Sequence, residues 1–253
     1  MHNNELHNAT IFCDIDTKTR LLKAGANPHQ RSAKAIDDKR KTPMAKLINK
    51  LIKRKRDSSK TIALHDAAKT NEADAIAMLL DAGADPNEAD EDGFTALYFA
   101  AGNGNIKIIN VLLDAGADPT QADNCGSTAL HFAVGKGQIG AIASLLEAGA
   151  NPNQVDNVGL TALHFASISG NAEVVGALLD AGAKVNQRCE DGFTALHYAA
   201  GSGHADATIS LLELGADPKK RAINGQTPLD LIEEGSPLYK SAIWWQLHDL
   251  QFE

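Results

Sequence analysis

The sequence is poor in the residues that mark membrane, secreted and disulfide-rich proteins. Aromatic residues make up 5% of the chain, and its three cysteines are Cys13, Cys125 and Cys189. No stretch of 18 apolar residues is present, so we expect no transmembrane helix. The polar first ten residues predict no secretory signal, and an odd, sparse cysteine count favours reduced thiols. Together these absences predict a cytoplasmic location.

Charge is plentiful but unevenly distributed. Residues 31–60 hold 12 of the 24 Lys and Arg residues and only three acids. The rest of the chain is therefore more acidic than the net charge of −8 indicates. Because an acidic surface repels phosphate backbones, we expect no nucleic-acid binding by this long acidic part.

The chain repeats itself every 33 residues. Five similar stretches, TALYFAA, TALHFAV, TALHFAS, TALHYAA and TPLDLIE, begin at Thr95, Thr128, Thr161, Thr194 and Thr227. A glycine turn such as GADP follows 21 residues after each of the first four threonines. One more copy precedes them in register, with Leu64, His65 and a GADP at 83. A fixed period of this length predicts an array of identical supersecondary units.

Each unit has the hydrophobic pattern of two short helices. In the unit that begins near residue 92, apolar spacing predicts helices over 96–103 and 106–113, separated by Gly104. Thr95 is placed to cap the first helix, and Pro119 prevents continuation beyond the second. Because one helix pair cannot bury both of its faces, neighbouring units must stack.

The repeated T-A-L-H-x-A stretch and its period resemble the ankyrin-repeat family over residues 61–253. The resemblance implies an all-α solenoid of stacked helix-turn-helix units with connecting β-turn hairpins. It divides the chain into a degenerate repeat over 1–33, a basic irregular insert or truncated repeat over 34–60, five regular repeats over 61–223, and a capping repeat over 224–253.

The same resemblance implies a function. Family members are scaffolds or adaptors that bind protein partners through the concave face of the stack and its projecting turns. We therefore expect a protein-binding monomer with no enzyme activity, cofactor or metal. The recurring histidines are not spaced for zinc, because helices about 8–10 Å apart cannot bring ligand atoms within about 2 Å of one ion. In the family this histidine ties one turn to its neighbour, as the resemblance implies for His65, His131, His164 and His197.

The turn before each first helix supplies the candidate partner-binding residues. An apolar centre rimmed by acids resembles an interaction hot spot and predicts a partner with a basic and apolar surface. The apolar candidates are Phe94, Val158, Leu160 and Phe193, together with Ile168 at the end of a first helix. The polar candidates are Glu91, Asp92, Asn124, Asn157, Glu190 and Asp191. The alternative, that each apolar residue folds onto its own hairpin, stays open.

Aromatic rings recur at one position of the first helix. They form either a binding platform or a row of packing contacts between adjacent units, and the area that a ring buries favours packing. The rings belong to Phe99, Phe132, Phe165 and Tyr198.

The basic segment over 39–56 also has two interpretations. Apolar residues from Met44 to Ile52 follow helical spacing, which favours a structural helix with solvated charges. The alternative is an effector or regulatory protein that acts at a nucleus or membrane, including a bacterial protein delivered into a host cell. Its targeting signal would be Lys53, Arg54, Lys55 and Arg56.

Overall fold

A computed structural model describes residues 57–252, with side chains for residues 62–250. The predicted repeat over 1–33, most of the basic insert over 34–60 and the candidate targeting signal over 53–56 lie outside the described residues. The chain divides into two compact units, residues 1–84 and 85–253. Within the described residues, no helix is long and apolar enough to cross a membrane.

The described part of the first unit is a helix pair. Helix α1 spans Asp57–Lys69 and helix α2 spans Ala73–Asp81. Leu64 of α1 is buried, as are Ile76 and Leu79 of α2, so the apolar sides of both helices are withdrawn from water. Contact between the two helices supplies part of this burial.

The second unit repeats this helix pair four times. The first helices are α3 (Ala96–Asn103), α5 (Ala129–Gly135), α7 (Ala162–Ser169) and α9 (Ala195–Gly201). The second helices are α4 (Ile106–Asp114), α6 (Ile139–Glu147), α8 (Ala172–Asp180) and α10 (Ala205–Glu213). The helix predicted over 96–103 is confirmed, and its partner ends one residue later than predicted, at residue 114.

The helix pairs of the second unit stack in chain order. Each first helix contacts the next first helix, and α3 to α10 also pack in pairs within each repeat. One leucine from each first helix is fully buried, namely Leu97, Leu130, Leu163 and Leu196. Apart from an isolated bridge between Ala122 and Thr128, regular structure in the described residues is helical. The predicted all-α stack is confirmed.

The C-terminal residues depart from the pair pattern. A short 3-10 helix spans Leu229–Leu231, and α11 spans Ala242–Phe252. Leu247 anchors α11 because it is 1% exposed, whereas Trp245 is 51% exposed. Both the 3-10 helix and α10 contact α11, so this helix covers the end of the stacked pairs.

Cys189 is a free, buried thiol, as the sparse cysteine count predicts. Cys13 lies outside the described residues.

A threonine–histidine pair begins three of the first helices. His164 Nδ1 accepts a hydrogen bond from the Thr161 backbone N–H at 3.0 Å and lies 2.9 Å from the Thr161 hydroxyl. The pairs at 128 and 131 and at 194 and 197 repeat this arrangement. Because Nδ1 accepts a backbone N–H, the ring proton resides on Nε2. Each pair satisfies backbone donors that a helix start leaves unpaired.

The opposite edge of each imidazole faces the following unit. His197 Nε2 lies 3.2 Å from the Gln226 carbonyl and donates to it. The Nε2 atoms of His131 and His164 are buried and make no hydrogen bond of standard geometry to any described residue. Backbone groups of the following unit lie near both rings and raise their pKa, but by less than burial lowers it. Burial dominates in all three and lowers the pKa of His131, His164 and His197 to about 4.

The last copy of this motif carries a carboxylate. Asp230 occupies the histidine register, and its Oδ2 accepts hydrogen bonds from the Thr227 N–H and hydroxyl, both at 2.8 Å. An ionised carboxylate accepts but cannot donate. Asp230 therefore keeps the hydrogen bonds with its own threonine. It has no N–H that could donate to a following unit, as His197 Nε2 does.

We expect the free energy of unfolding to fall between pH 7 and pH 5. The folded protein holds three histidines neutral, whereas an ordinary histidine in the unfolded chain takes up its proton near pH 6.5. Between about pH 6.5 and pH 4 the unfolded chain therefore binds more protons, and each histidine costs up to about 2 kcal/mol by pH 5. Urea unfolding at pH 7 and pH 5 measures the change.

Two carboxyl groups raise the free energy of unfolding as the pH falls. Burial raises the pKa of Asp123 and Asp156, so their protonation in the folded state gains stability as the pH falls. We expect the histidines to outweigh them, because the histidine shifts are the larger. An NMR titration provides the control, with the three buried rings staying neutral down to pH 5. Titration of all three near pH 6.5, with equal stability at both pH values, would contradict this account.

Candidate functional site

Five tight turns precede the first helices and the 3-10 helix. They begin at Asp90, Asp123, Asp156, Cys189 and Ala222. In each turn the first backbone N–H donates to the carbonyl four residues later, at 2.8–2.9 Å. The fourth position is a glycine with positive φ in all five turns, and in the first four the next turn also passes close by. A Cβ on Gly126, where φ is 78°, would stand 2.8 Å from the Asn157 backbone nitrogen.

Successive turns are joined through their two central residues, which we call the tips. The N–H of the first tip residue donates to the carbonyl of the second tip residue in the preceding turn. Asn124 donates to Asp92 at 3.1 Å, and Asn157 donates to Cys125 at 2.9 Å. The bonds from Glu190 to Val158 and from Ile223 to Asp191 continue the series at 3.1 and 2.9 Å. The tips at 91–92, 124–125, 157–158, 190–191 and 223–224 therefore form one row.

The two candidate asparagines support this row. The Asn124 side-chain amide donates to the Glu91 carbonyl at 2.9 Å, and the Asn157 amide donates to the Asn124 carbonyl at 2.9 Å. Both side chains are exposed, but their N–H groups already hold the neighbouring turn. Their role is first to position the tips, and only their remaining polar atoms face solvent.

An aspartate holds the inside of each of the first three turns. Asp156 Oδ1 accepts from the backbone N–H groups of Val158 at 3.0 Å and Leu160 at 2.8 Å. Asp123 makes the equivalent pair of bonds within its own turn. These positioning residues are absent from the sequence-based candidates. Their 33-residue recurrence at Asp90, Asp123 and Asp156 is the signal that identifies them.

In the last two turns, arginine side chains make the supporting hydrogen bonds in place of aspartate. Cys189 and Ala222 stand where the earlier turns have aspartate. Arg188 Nε instead donates to the Gly192 carbonyl and its Nη2 donates to the Arg221 carbonyl, both at 3.0 Å. Arg221 Nη1 likewise donates to the Gly225 carbonyl at 2.8 Å. These turns are therefore held from their exposed side.

The tip row has a charge pattern along its length. Glu91 and Asp92 are exposed at one tip, and Glu190 and Asp191 are exposed three units later. The two tips between them are uncharged. The predicted acidic residues are thus accessible, and they flank a neutral centre.

The predicted apolar patch is wrong at Leu160. This residue is 1% exposed and packs with Cys189 and Tyr198. Phe193 and Ile168 are half-buried against the same cluster. Burial of Leu160 follows from its neighbour, because the next turn presents apolar Cys189 where earlier turns have a carboxylate. Leu160 is therefore a core residue and not a partner contact.

Phe94 and Val158 have different surroundings. Phe94 is half-buried, with its ring centroid 4.6 Å from that of Tyr98 and 5.7 Å from that of Phe99. Val158 is 42% exposed at a tip. The structure therefore does not bring the five apolar candidates into one exposed patch, and Val158 alone among them is largely exposed.

The aromatic row is mostly a packing feature. Phe99, Phe132 and Tyr198 are buried, whereas Phe165 is half-buried. Phe132 stacks on Tyr98 of the preceding unit at 4.4 Å between ring centroids. Phe165 meets the His131 ring edge-on at 5.6 Å. Of the two interpretations, packing is confirmed for the three buried rings.

The glycines seven residues after the cap threonine have different surroundings in different units. The Phe132 ring occupies the place that a Cβ on Gly102 would take, and Leu231 Cβ stands 3.4 Å from such an atom on Gly201. Gly135, which has the same register, is exposed, and apart from its chain neighbours and its own helix backbone no described atom lies within 4 Å of a Cβ built there. Phe165, the counterpart of Phe132, is drawn toward the Leu160 cluster instead.

Residues with metal-binding side chains do not converge in the described part of the chain. Across that part, no group of three His, Cys, Asp or Glu residues is arranged to hold an ion. The row of buried histidines is engaged in capping, as the bonds from Thr128, Thr161 and Thr194 show.

The comparisons with known proteins agree with this geometry. A family model described as ankyrin repeats matches residues 6–123, 64–156 and 130–222. The chain belongs to the ankyrin-repeat family. Ankyrin repeats generally mediate protein–protein interactions and are typically non-enzymatic. A search of curated proteins finds no match to the chain.

We expect Leu160→Ala to lower the free energy of unfolding by about 2–5 kcal/mol, because it leaves a cavity beside Cys189 and Tyr198. Val158→Ala should change it by less than about 0.5 kcal/mol, because the side chain is largely solvated. Urea unfolding of both variants and the parent measures the difference. Equal stability of the two variants would contradict the core assignment.

Two glycine substitutions should have opposite effects on stability. Gly102→Ala forces the stacked Phe132 ring to move, and we expect a loss of about 1–3 kcal/mol. Gly135→Ala adds a methyl group to open space within a helix, and we expect a gain of about 0.5–1 kcal/mol. Thermal unfolding compares the two. A destabilised Gly135→Ala variant would show that a methyl group at this position is not accommodated freely.

Proposed function

We propose that this protein binds a protein partner through the tip row and the adjoining exposed ends of the first helices, which together we call the first-helix face. The observation that carries the proposal is the continuous hydrogen bonding between successive tips. It presents exposed side chains from four neighbouring units on fixed backbone. A preorganised surface loses little conformational entropy when a partner binds.

The charge of the tips indicates the charge that the partner surface should carry. Four exposed carboxylates, Glu91, Asp92, Glu190 and Asp191, lie on the row. Exposed charges of one sign steer an oppositely charged partner and exclude partners of the same sign. The partner surface should therefore carry Lys or Arg, and its attraction should weaken as salt is added.

The proposed role is binding without a reaction. Titratable groups with large pKa shifts are candidate catalytic groups. Here His131, His164 and His197 are buried and bonded to their cap threonines, so they serve the fold. Tyr198, whose pKa is raised by burial, packs in the Leu160 cluster. These roles support a scaffold or adaptor.

Neutralising the tip acids should weaken partner capture without unfolding the protein. The variant is Glu91→Gln, Asp92→Asn, Glu190→Gln and Asp191→Asn together, and we expect capture to fall at least about tenfold. Crosslinking pull-down from the native cell, quantified by mass spectrometry against the parent, measures the effect.

The matched control removes four exposed charges from the second helices. It combines Glu147→Gln, Glu173→Gln, Asp206→Asn and Glu213→Gln, all at exposed positions. This control should capture the partner as the parent does. If both variants lose the partner equally, net charge and not the tip row governs binding, and the proposed surface is wrong.

A further inference from the structure

Two exposed apolar tip residues lie on either side of an acidic tip. Val158, at the third tip, is 42% exposed, and Ile223, at the fifth tip, is 75% exposed. No other large hydrophobic residue in the described part of the chain is as exposed as Ile223. The tip between them carries Glu190 and Asp191, both exposed. This end of the tip row therefore has apolar side chains at its two sides and carboxylates at its centre.

Hydrogen bonds between neighbouring tips place these four residues next to one another. The Glu190 N–H donates to the Val158 carbonyl at 3.1 Å, and the Ile223 N–H donates to the Asp191 carbonyl at 2.9 Å. The approach is close, because a Cβ on Gly159 would stand 2.8 Å from the Glu190 nitrogen. We call Val158, Glu190, Asp191 and Ile223 the tip patch.

The same bonds limit the length of the tip patch. The path from Val158 to Ile223 crosses one hydrogen bond between turns, one peptide bond within the fourth tip and a second hydrogen bond between turns. Consecutive Cα atoms are about 3.8 Å apart, and Cα atoms of hydrogen-bonded neighbours are about 5.5 Å apart. The Cα atoms at the two sides of the patch are therefore no more than about 15 Å apart.

The carboxylates of the tip patch are available to a partner. Neither Glu190 nor Asp191 forms an ion pair with a described residue. Arg188 and Arg221 belong to the same two turns, but their guanidinium groups donate to carbonyl oxygens that hold those turns. A cation that meets the two carboxylates therefore does not have to displace an existing ion-pair partner.

The apolar sides of the tip patch are suited to binding. Single exposed hydrophobic residues are common on protein surfaces and by themselves indicate nothing. Here Val158 and Ile223 flank one charged tip on backbone that is hydrogen-bonded in register. Both are β-branched and hold few side-chain rotamers. They therefore lose little conformational entropy when a partner covers them.

We propose that the tip patch binds an extended segment of the protein partner in which one Lys or Arg stands between two apolar residues. Alternate residues of an extended chain share a face, so the order apolar, basic, apolar at every second position spans about 13 Å. The basic side chain meets Glu190 and Asp191, and the apolar side chains cover Val158 and Ile223. This inference rests on the proposed function and specifies the partner chemistry at one end of the tip row.

Synthetic peptides test the proposal. The probe is a fluorescein-labelled nine-residue peptide with Arg at its centre, Leu two residues away on each side and Ser elsewhere. Three matched peptides replace the Arg with Glu, replace both Leu residues with Ser, or move both Leu residues to the same side of the Arg. Fluorescence anisotropy with the full chain measures each dissociation constant at low and at high salt.

We expect the probe to bind at least about tenfold more tightly than each matched peptide, because each of these loses the charge pairing or part of the apolar burial. Added salt should weaken probe binding and narrow its advantage over the Glu peptide. Equal binding of all four peptides, or no measurable binding of the probe, overturns the inference. Tighter binding of the Glu peptide also overturns it, because Arg188 and Arg221 would then set the charge preference.

Variants of the protein assign the site. Val158→Ser with Ile223→Ser removes both apolar sides at exposed positions, so we expect the probe to bind about tenfold more weakly while thermal unfolding changes little. Ile106→Ser with Leu214→Ser is the matched control, because these residues are 45% and 47% exposed at the ends of second helices. The control should bind as the parent does. Equal probe binding by the two double variants overturns the tip patch.

Failure of the inference is distinguishable from failure of the proposed function. If neutralising the four tip carboxylates abolishes capture of the cellular partner while the peptides fail to bind, the tip row is the binding surface and the apolar–basic–apolar segment is wrong. If the tip-neutralised variant captures the partner normally and binds the probe like the parent, both proposals fall.

Discussion

The backbone hydrogen bond between successive tips sets the spacing on which the rest of the second unit depends. It joins residues one position short of the 33-residue repeat, as Asn157 and Cys125 do. The bond can recur in every unit because every unit has the same length. The approach is close enough that a side chain on Gly126 or Gly159 would collide with the next turn. Helix lengths, turn glycines and the register of the buried leucines follow from this one contact distance.

Much of the fold is contained in short-range patterns. Thr95 caps the start of α3 and Gly104 caps its end. With the apolar spacing between them, these two residues predict both ends of the helix correctly. These features are predictable because caps and turns are decided by residues within about five positions of one another. The repeated period then supplies the stacking order, since each helix pair can bury its second face only against a copy of itself.

The candidate site was less predictable because burial there depends on the adjoining unit. Residue 160 follows a turn glycine, where Ser127 and Gln226 stand in other units, and its sequence neighbours give no reason for burial. Leu160 is nevertheless enclosed by residues 29 and 38 positions later, Cys189 and Tyr198. The acidic tips were recognisable from sequence because charged side chains at a turn remain in water. The different surroundings of Gly102 and Gly135 were not, since they depend on which side chains of the next unit approach them.

Asp230 limits how this array can grow. In the three preceding units with histidine at this place, a buried imidazole accepts from its own threonine through Nδ1 and turns its Nε2–H toward the unit beyond, and His197 donates that proton to the Gln226 carbonyl. A carboxylate in that place accepts the hydrogen bonds of its own threonine and can offer only acceptor oxygens to a further unit. Gene duplication that appended another 33-residue unit after this point would place two acceptors face to face. Duplication that inserts new units upstream of the last threonine, or that restores histidine at 230 at the same time, avoids this contact.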